Sequence, residues 1–172
     1  MGGSSGTGRG SRFRKGGSKG GDVKDPLGSI LRTIGESNPL QPRGGMRGHI
    51  VNNEAIIELI RRDGDPPGHL YFTGLRNFSG ERGAGTRAMD AVLKAADKLG
   101  ITLHGSAVPF GEGGLSKIAL RAWYARKGWK FDPNDTTGAS MTRTPGTPLN
   151  PEPTVLKLSG EWHTADFGSR GS

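Results

Sequence analysis

Apolar residues recur in short runs along the chain, and their spacing predicts helices and strands in alternation. Leu27, Ile30, Leu31 and Ile34 fall at helical spacing behind Asp25-Pro26. That dipeptide reads as an N-cap followed by proline at the first helical position, and Gly35 is placed to close the helix. Residues 38–45 read as loop and residues 48–51 as a short strand. Asn52 or Asn53 is placed to cap a second helix, with Ile56, Ile57 and Ile60 on one face and Gly64 at its end. After the turn Asp65-Pro66-Pro67-Gly68, the run from His69 to Leu75 alternates loosely and reads as a buried strand.

From Thr86, residues Met89, Val92, Leu93 and Ala96 share one helical face that ends at Gly100. Ile101 to Val108 is the next strand. Leu115 to Lys127 predicts a third helix, with Leu115, Ile118, Ala119, Ala122 and Trp123 as its apolar stripe and Gly128 as its stop. Trp129-Lys130-Phe131 opens a strand, residues 139–143 form a last one, and residues 155–158 are free to pair elsewhere.

Composition divides this pattern into three parts. The chain has 172 residues, enough for one ordinary domain, yet only 31% are apolar and 31 are glycine. Residues 1–24 form a Gly-rich arm too poor in apolar side chains to offset its chain entropy, and it is expected to be disordered. Residues 25–144 carry the periodic segments. Residues 145–172 hold Pro145, Pro148, Pro151 and Pro153 and are expected as an extended tail. The chain has no cysteine, which excludes disulfides, thiolate metal sites and a cysteine nucleophile. No apolar run approaches the roughly 20 residues needed to span a bilayer, and the basic N-terminus lacks the apolar segment of a signal peptide. A cytoplasmic protein without membrane contact is expected.

Charge adds a candidate partner. Arg9, Arg12, Arg14, Lys15 and Lys19 give residues 1–21 a charge of +5 out of a net +8. Such an arm suits nonspecific contact with nucleic acid, or docking on another protein.

The main chemical candidate is Arg82-Gly83-Ala84-Gly85-Thr86-Arg87, between a predicted strand and a predicted helix. A glycine loop at a helix start leaves backbone N–H groups without intrahelical partners at the positive end of the helix dipole, which suits phosphate or pyrophosphate. Three other readings compete. Gly83 to Ala88 also satisfies the dinucleotide fingerprint G-x-G-x-x-A, but residues 101–108 lack the acid that would hold a ribose. A P-loop needs Gly-Lys-Ser/Thr, which is absent. The third is a plain tight turn into a helix.

The stretch from His69 to about Arg143 resembles the acetyl-coenzyme-A-binding core of the Gcn5-related N-acetyltransferase superfamily. Gly80-Glu81-Arg82-Gly83-Ala84-Gly85 matches its Q/R-x-x-G-x-G/A pyrophosphate loop, with glycine in place of the first polar residue. Trp123-Tyr124-Ala125-Arg126-Lys127-Gly128-Trp129 matches its aromatic-Tyr pair followed by Gly-aromatic. The wording of residues 95–103 and 115–117 is most similar to small acetyltransferase-like proteins of bacteriophages. The resemblance implies a mixed, mostly antiparallel α/β sheet with helices on both faces. It also implies acetyl-coenzyme A held by Arg82, Gly83, Ala84, Gly85, Thr86 and Arg87, between a strand ending near Leu75 and one beginning near Ile101, which splay apart. The acceptor would be an unidentified amine.

The resemblance places Tyr124 as the acid that protonates the departing thiolate. His104 is a candidate general base because an unperturbed histidine titrates near neutrality; His69 and Glu112 are weaker candidates. A second function class remains open: a non-catalytic virion or assembly protein that keeps the fold and docks through its arm.

Overall fold

The computed structural model describes residues 2–3, 24–44, 47–110, 114–149, 156–158 and 161–163. The arm beyond Gly3, Glu112 and most of the tail lie outside the described residues. The chain begins with α1 (Pro26–Ser37), then β1 (Leu40–Pro42), β2 (His49–Val51), β3 (Ala55–Ile60) and β4 (His69–Asn77). There follow α2 (Ala84–Leu99), β5 (Thr102–Ser106), α3 (Lys117–Arg126), β6 (Lys130–Phe131) and β7 (Ser140–Arg143). Seven strands form one sheet in the order β1-β2-β3-β4-β5-β7-β6. Only β4 and β5 pair in parallel, joined by the crossover helix α2. The other pairs are antiparallel, so the sheet is mixed and mostly antiparallel, flanked by three helices, as expected. Beyond it, β8 (Leu156–Leu158) pairs with β9 (Glu161–His163).

The start of α1 follows the sequence logic. The Asp25 carboxylate accepts from Gly28 N at 2.9 Å, with Pro26 at the first helical position. Gly35 does not end the helix, which runs on until Asn38 caps it.

The expected second helix is a correction: residues 55–60 are β3. Asn52 and Asn53 do not cap a helix but adopt φ of 54° and 57°. Glu54 N donates to Val51 O at 3.0 Å, closing a tight turn between β2 and β3. Two consecutive left-handed residues are the type I′ requirement, and asparagine tolerates them. Burial then alternates with period two, with Ala55, Ile57 and Leu59 inside. A run as short as Ala55–Ile60 carries both periods, and turn chemistry decides between them. Replacing Asn53 by valine is expected to cost about 1–2 kcal/mol, because a β-branched residue resists the left-handed region. A urea midpoint unchanged by Asn53→Val would contradict this account of the turn.

Helices on both faces are a second correction. The strand residues Val51, Ala55, Ile57, Leu59, Leu70, Phe72, Leu103 and Met141 are all buried. Through the strand registers they fall on a single face. Helix α2 packs on β3, β4 and α1, and the Tyr124 ring of α3 meets Phe72 on this same face. The opposite face, with Glu58, Tyr71, His104 and Thr142, is half-buried and carries no helix among the described residues.

The stripe expected on α3 is also corrected. Leu115 and Ile118 are exposed, while Trp123 and Tyr124 point inward. Leu120, Trp123 and Tyr124 meet the core from this helix. Beyond them Lys127 reaches Asp90 of α2 at 2.6 Å, so the helix turns its C-terminal end to the interior.

The sheet is irregular at two places along β4. A bulge leaves Thr73 unpaired, since Glu58 faces Gly74 while Leu59 faces Phe72. Pairing of β4 with β5 then ends at Phe72 and Gly105, although β4 continues to Asn77. Beyond those residues the two strands are unpaired, which leaves a gap in the sheet pairing along β4 from Thr73 to Asn77, on the way to the loop that starts α2.

Candidate functional site

The loop from Asn77 to Arg87 leads from β4 into α2 and is braced from within. The Asn77 side chain accepts from Gly80 N at 3.2 Å and Ser79 Oγ at 3.1 Å, and donates to Glu81 O at 2.9 Å. Gly83 is the N-cap residue of α2 with φ 80°, a conformation that disfavours any side chain. Having no side chain, it makes no cap hydrogen bond, and the first turn holds no acid. Ala84 N makes a long 3.3 Å bond to Glu81 O. The amides of Gly85 and Thr86 are the second and third of the helix, donors that an α-helix leaves without intrahelical acceptors. This helix thus starts two residues earlier than the apolar spacing suggests, and no side chain caps its positive end.

Arg82, Gly83 and Arg87 are exposed, Gly85 and Thr86 half-buried, and Ala84 buried. Arg87 grips Glu54 in a two-pronged pair, Nε to Oε2 at 3.1 Å and Nη2 to Oε1 at 2.7 Å, and donates to Arg82 O at 3.2 Å. That bond holds the Glu54 carboxyl below its ordinary range. Glu54 O also accepts from Phe78 N and Ser79 N. Glu54 therefore ties the β2–β3 turn to the glycine loop. Nothing local in the sequence signals this, because the partners are 33 residues apart. Leu75 lies on β4 beneath the loop, 3.6 Å from where a Cβ on Gly85 would sit.

Tyr124 lies beside the point where the strands part, on the helix-bearing face. Its ring is 6.4 Å from that of Phe72 and 5.8 Å from that of Trp129. Trp129 in turn abuts Gly105, where a Cβ would lie 3.0 Å from the Met141 methyl and 3.1 Å from Phe72 O. Glycine is required here by close approach, and Gly105→Ala is expected to cost about 1–3 kcal/mol through overpacking, read by urea unfolding. Trp129 Nε1 is buried with no hydrogen-bond partner among the described residues.

Burial pushes the Tyr124 hydroxyl up to about 12. A raised phenol value means the folded state holds the proton more tightly. This contribution to stability is intact below the unfolded value of about 10 and is lost as pH rises from about 10 to 12. Tyr124→Phe is therefore expected to lose less stability than the wild type over that window; parallel pH curves would contradict the assignment.

His104 lies on the opposite face. Its Nε2 is 2.7 Å from His69 Nδ1 and its Nδ1 is 3.2 Å from Thr142 Oγ1. Tyr71 stacks on it at 5.2 Å, with the Arg62 guanidinium 3.4 Å above the Tyr71 ring. His104, Thr142, Tyr71 and Arg62 line a groove of about 550 Å³ that also meets Thr73, Ser106, Asp132 and Ser140. The two candidate catalytic residues are thus not neighbours: the sheet lies between them. Arg62, Tyr71 and Thr142 carry no signal in the sequence, since only the strand registers bring them around His104. Among the described residues no group of three or more His, Asp or Glu side chains is placed to hold a metal, and no helix is long and apolar enough to cross a membrane.

No protein-family model matches the chain, and no curated protein matches it. Among solved structures, the anti-CRISPR protein AcrVA5 overlaps 54% of this chain and 92% of its own, at 18% identity and a TM-score of 0.44. A likeness this slight assigns no function.

Proposed function

We propose that the protein is an acetyl-coenzyme-A-dependent N-acetyltransferase acting on an amine; a bacteriophage origin rests on the resemblance alone. The observation that carries the reading is the uncapped start of α2 at the end of a gap between two parallel strands. A pyrophosphate accepts from the Gly85 and Thr86 amides, favoured by the helix dipole. The unpaired stretch of β4 runs back from there to Phe72, near the Tyr124 ring and the Trp129 N–H, which has no partner among the described residues. The ligand supplies an activated acetyl thioester; the chain supplies orientation.

Tyr124 stays protonated at neutral pH, as a donor to a developing thiolate must. Its raised value makes full proton transfer to an ordinary thiol, near 8.5, uphill. Its contribution is therefore a hydrogen bond to the sulfur as charge builds there. Arg87 braces the loop through Glu54 instead of meeting the phosphates directly.

A thermal-shift series tests the reading. Acetyl-coenzyme A at about 100 times its Kd should add about 2.7 kcal/mol by mass action, and NAD nothing. No shift with acetyl-coenzyme A, at any concentration tried, would leave the non-catalytic assembly reading in its place.

A further inference from the structure

Four of the five large apolar side chains that stand exposed among the described residues lie on one connection, from the end of β5 into α3. They are Val108, Phe110, Leu115 and Ile118. Phe110 and Ile118 are 64% and 59% exposed. Exposed apolar residues scattered singly are ordinary, but several on one short stretch mark a surface that something covers. The fifth, Phe78, follows β4. Because β4 and β5 pair in parallel, both connections leave the sheet at the same edge.

The charge beside this surface narrows what covers it. Helix α3 carries Lys117, Arg121 and Arg126 and no acid. Lys117 donates to Thr137 O at 2.5 Å, and Arg121 donates to Gly138 O. Both acceptors are neutral carbonyls, so these bonds leave the positive charge in place. The first turn of α3 adds the positive end of the helix dipole. A complementary occupant is therefore apolar and acidic.

This chain supplies one such segment. Residues 1–21 hold five cations and no acid, with Phe13 their one aromatic residue, so like charge keeps them from this surface. Residues 150–172 hold Val155, Leu156, Leu158, Trp162 and Phe167 beside Glu152, Glu161 and Asp166. They also leave the domain from a suitable place. Thr147 and Pro148 lie against Gly128, just past the end of α3, and Leu149 packs on the core. From there α3 runs back about 15 Å to its first turn. Residues 150–155, fully stretched, span about 20 Å. The hairpin of β8 and β9 is thus within reach of Leu115 and Ile118. With three residues in each strand, it is too small to stand alone in water and needs a surface.

We propose that residues 155–167 dock along the N-terminal half of α3, covering Val108, Phe110, Leu115 and Ile118, with their acids toward Lys117 and Arg121. The docking is independent of the acetyltransfer reading, because none of these residues belongs to the glycine loop.

Spin labelling of the full-length chain, without ligand, tests this. The chain has no cysteine, so Thr164→Cys gives a single nitroxide site. Methyl signals of Val108, Leu115 and Ile118 are expected to be lost with the oxidised label and to return on its reduction. Those of Ile50 and Ile56, on the helix-free face, should persist. Survival of the Val108, Leu115 and Ile118 signals would overturn the proposal. Ile118→Asp supplies the second arm. The site is exposed and a carboxylate in the first turn complements the helix dipole, so the fold is retained. The carboxylate opposes both the apolar contact and the acidic tail, and the Val108 and Leu115 signals should survive in this variant. Their loss there, equal to that in the unsubstituted surface, would overturn the proposal as well. An isotope-labelled chain without the cysteine, mixed with a spin-labelled chain, is expected to keep all its signals. Loss in that mixture would assign the surface to a second copy and overturn docking within one chain.

Discussion

Asp97→Ala is expected to destabilise the protein by about 3–5 kcal/mol, because it leaves a buried guanidinium without its counter-charge. Arg143 is 1% exposed and meets Asp97 through Nη1 at 2.7 Å and Nη2 at 2.9 Å. Two further donors go to Lys127 O at 3.0 Å and Thr147 O at 2.5 Å. Asp97 Oδ1 accepts from Gly146 N at 2.8 Å as well. One pair thereby joins α2, the end of α3, β7 and residues 144–147. The exposed Lys98–Glu36 pair, with side chains 64% and 61% exposed, is the control. Its loss in Lys98→Ala should cost under about 1 kcal/mol. Equal urea midpoints for the two variants would show that the Arg143 cluster adds nothing special.

Tyr124→Phe is expected to lower kcat for acetyl transfer by about 10²-fold while leaving acetyl-coenzyme A affinity nearly unchanged. The ring packs between Phe72, Trp123 and Trp129, and phenylalanine keeps that packing. Only the hydroxyl is removed, so the effect should fall on the step where sulfur gains charge. Single-turnover kinetics separates this from product release. A rate within twofold of the wild type would return Tyr124 to the hydrophobic core alone.

The legible parts of the fold are those where local chemistry and periodicity agree. Asp25-Pro26 announces α1, and Gly100 ends α2 with a left-handed φ of 70°. The strand, glycine loop, helix and strand around Gly83 are readable for the same reason. Residues 55–60 are not, because a six-residue apolar run carries both periods and Asn52-Asn53 serves a left-handed turn as readily as a helix cap. The single-faced sheet is hidden too. Which face Tyr71, His104 and Thr142 share follows from pairings 33 and 38 residues apart in the chain, which no local pattern records. Ser116 does cap α3, accepting from Ala119 N at 3.2 Å, yet Leu115 and Ile118 beside it stay exposed. An apolar stripe announces a helix more reliably than the surface it covers.

The proposed acetyl-coenzyme A site is tested most directly by calorimetric titration of acetyl-coenzyme A into wild type and Gly85→Asp. A Cβ at Gly85 meets only Leu75, at an ordinary 3.6 Å, so the substitution fits. A carboxylate at the second helical position complements the helix dipole, so the fold should be as stable as before or slightly more. The same carboxylate opposes a pyrophosphate on the Gly85 and Thr86 amides. The account predicts binding to the wild type and loss of at least about tenfold in affinity in Gly85→Asp, a cost of about 1.4 kcal/mol, at undiminished melting temperature. Undiminished affinity in a folded Gly85→Asp would contradict it.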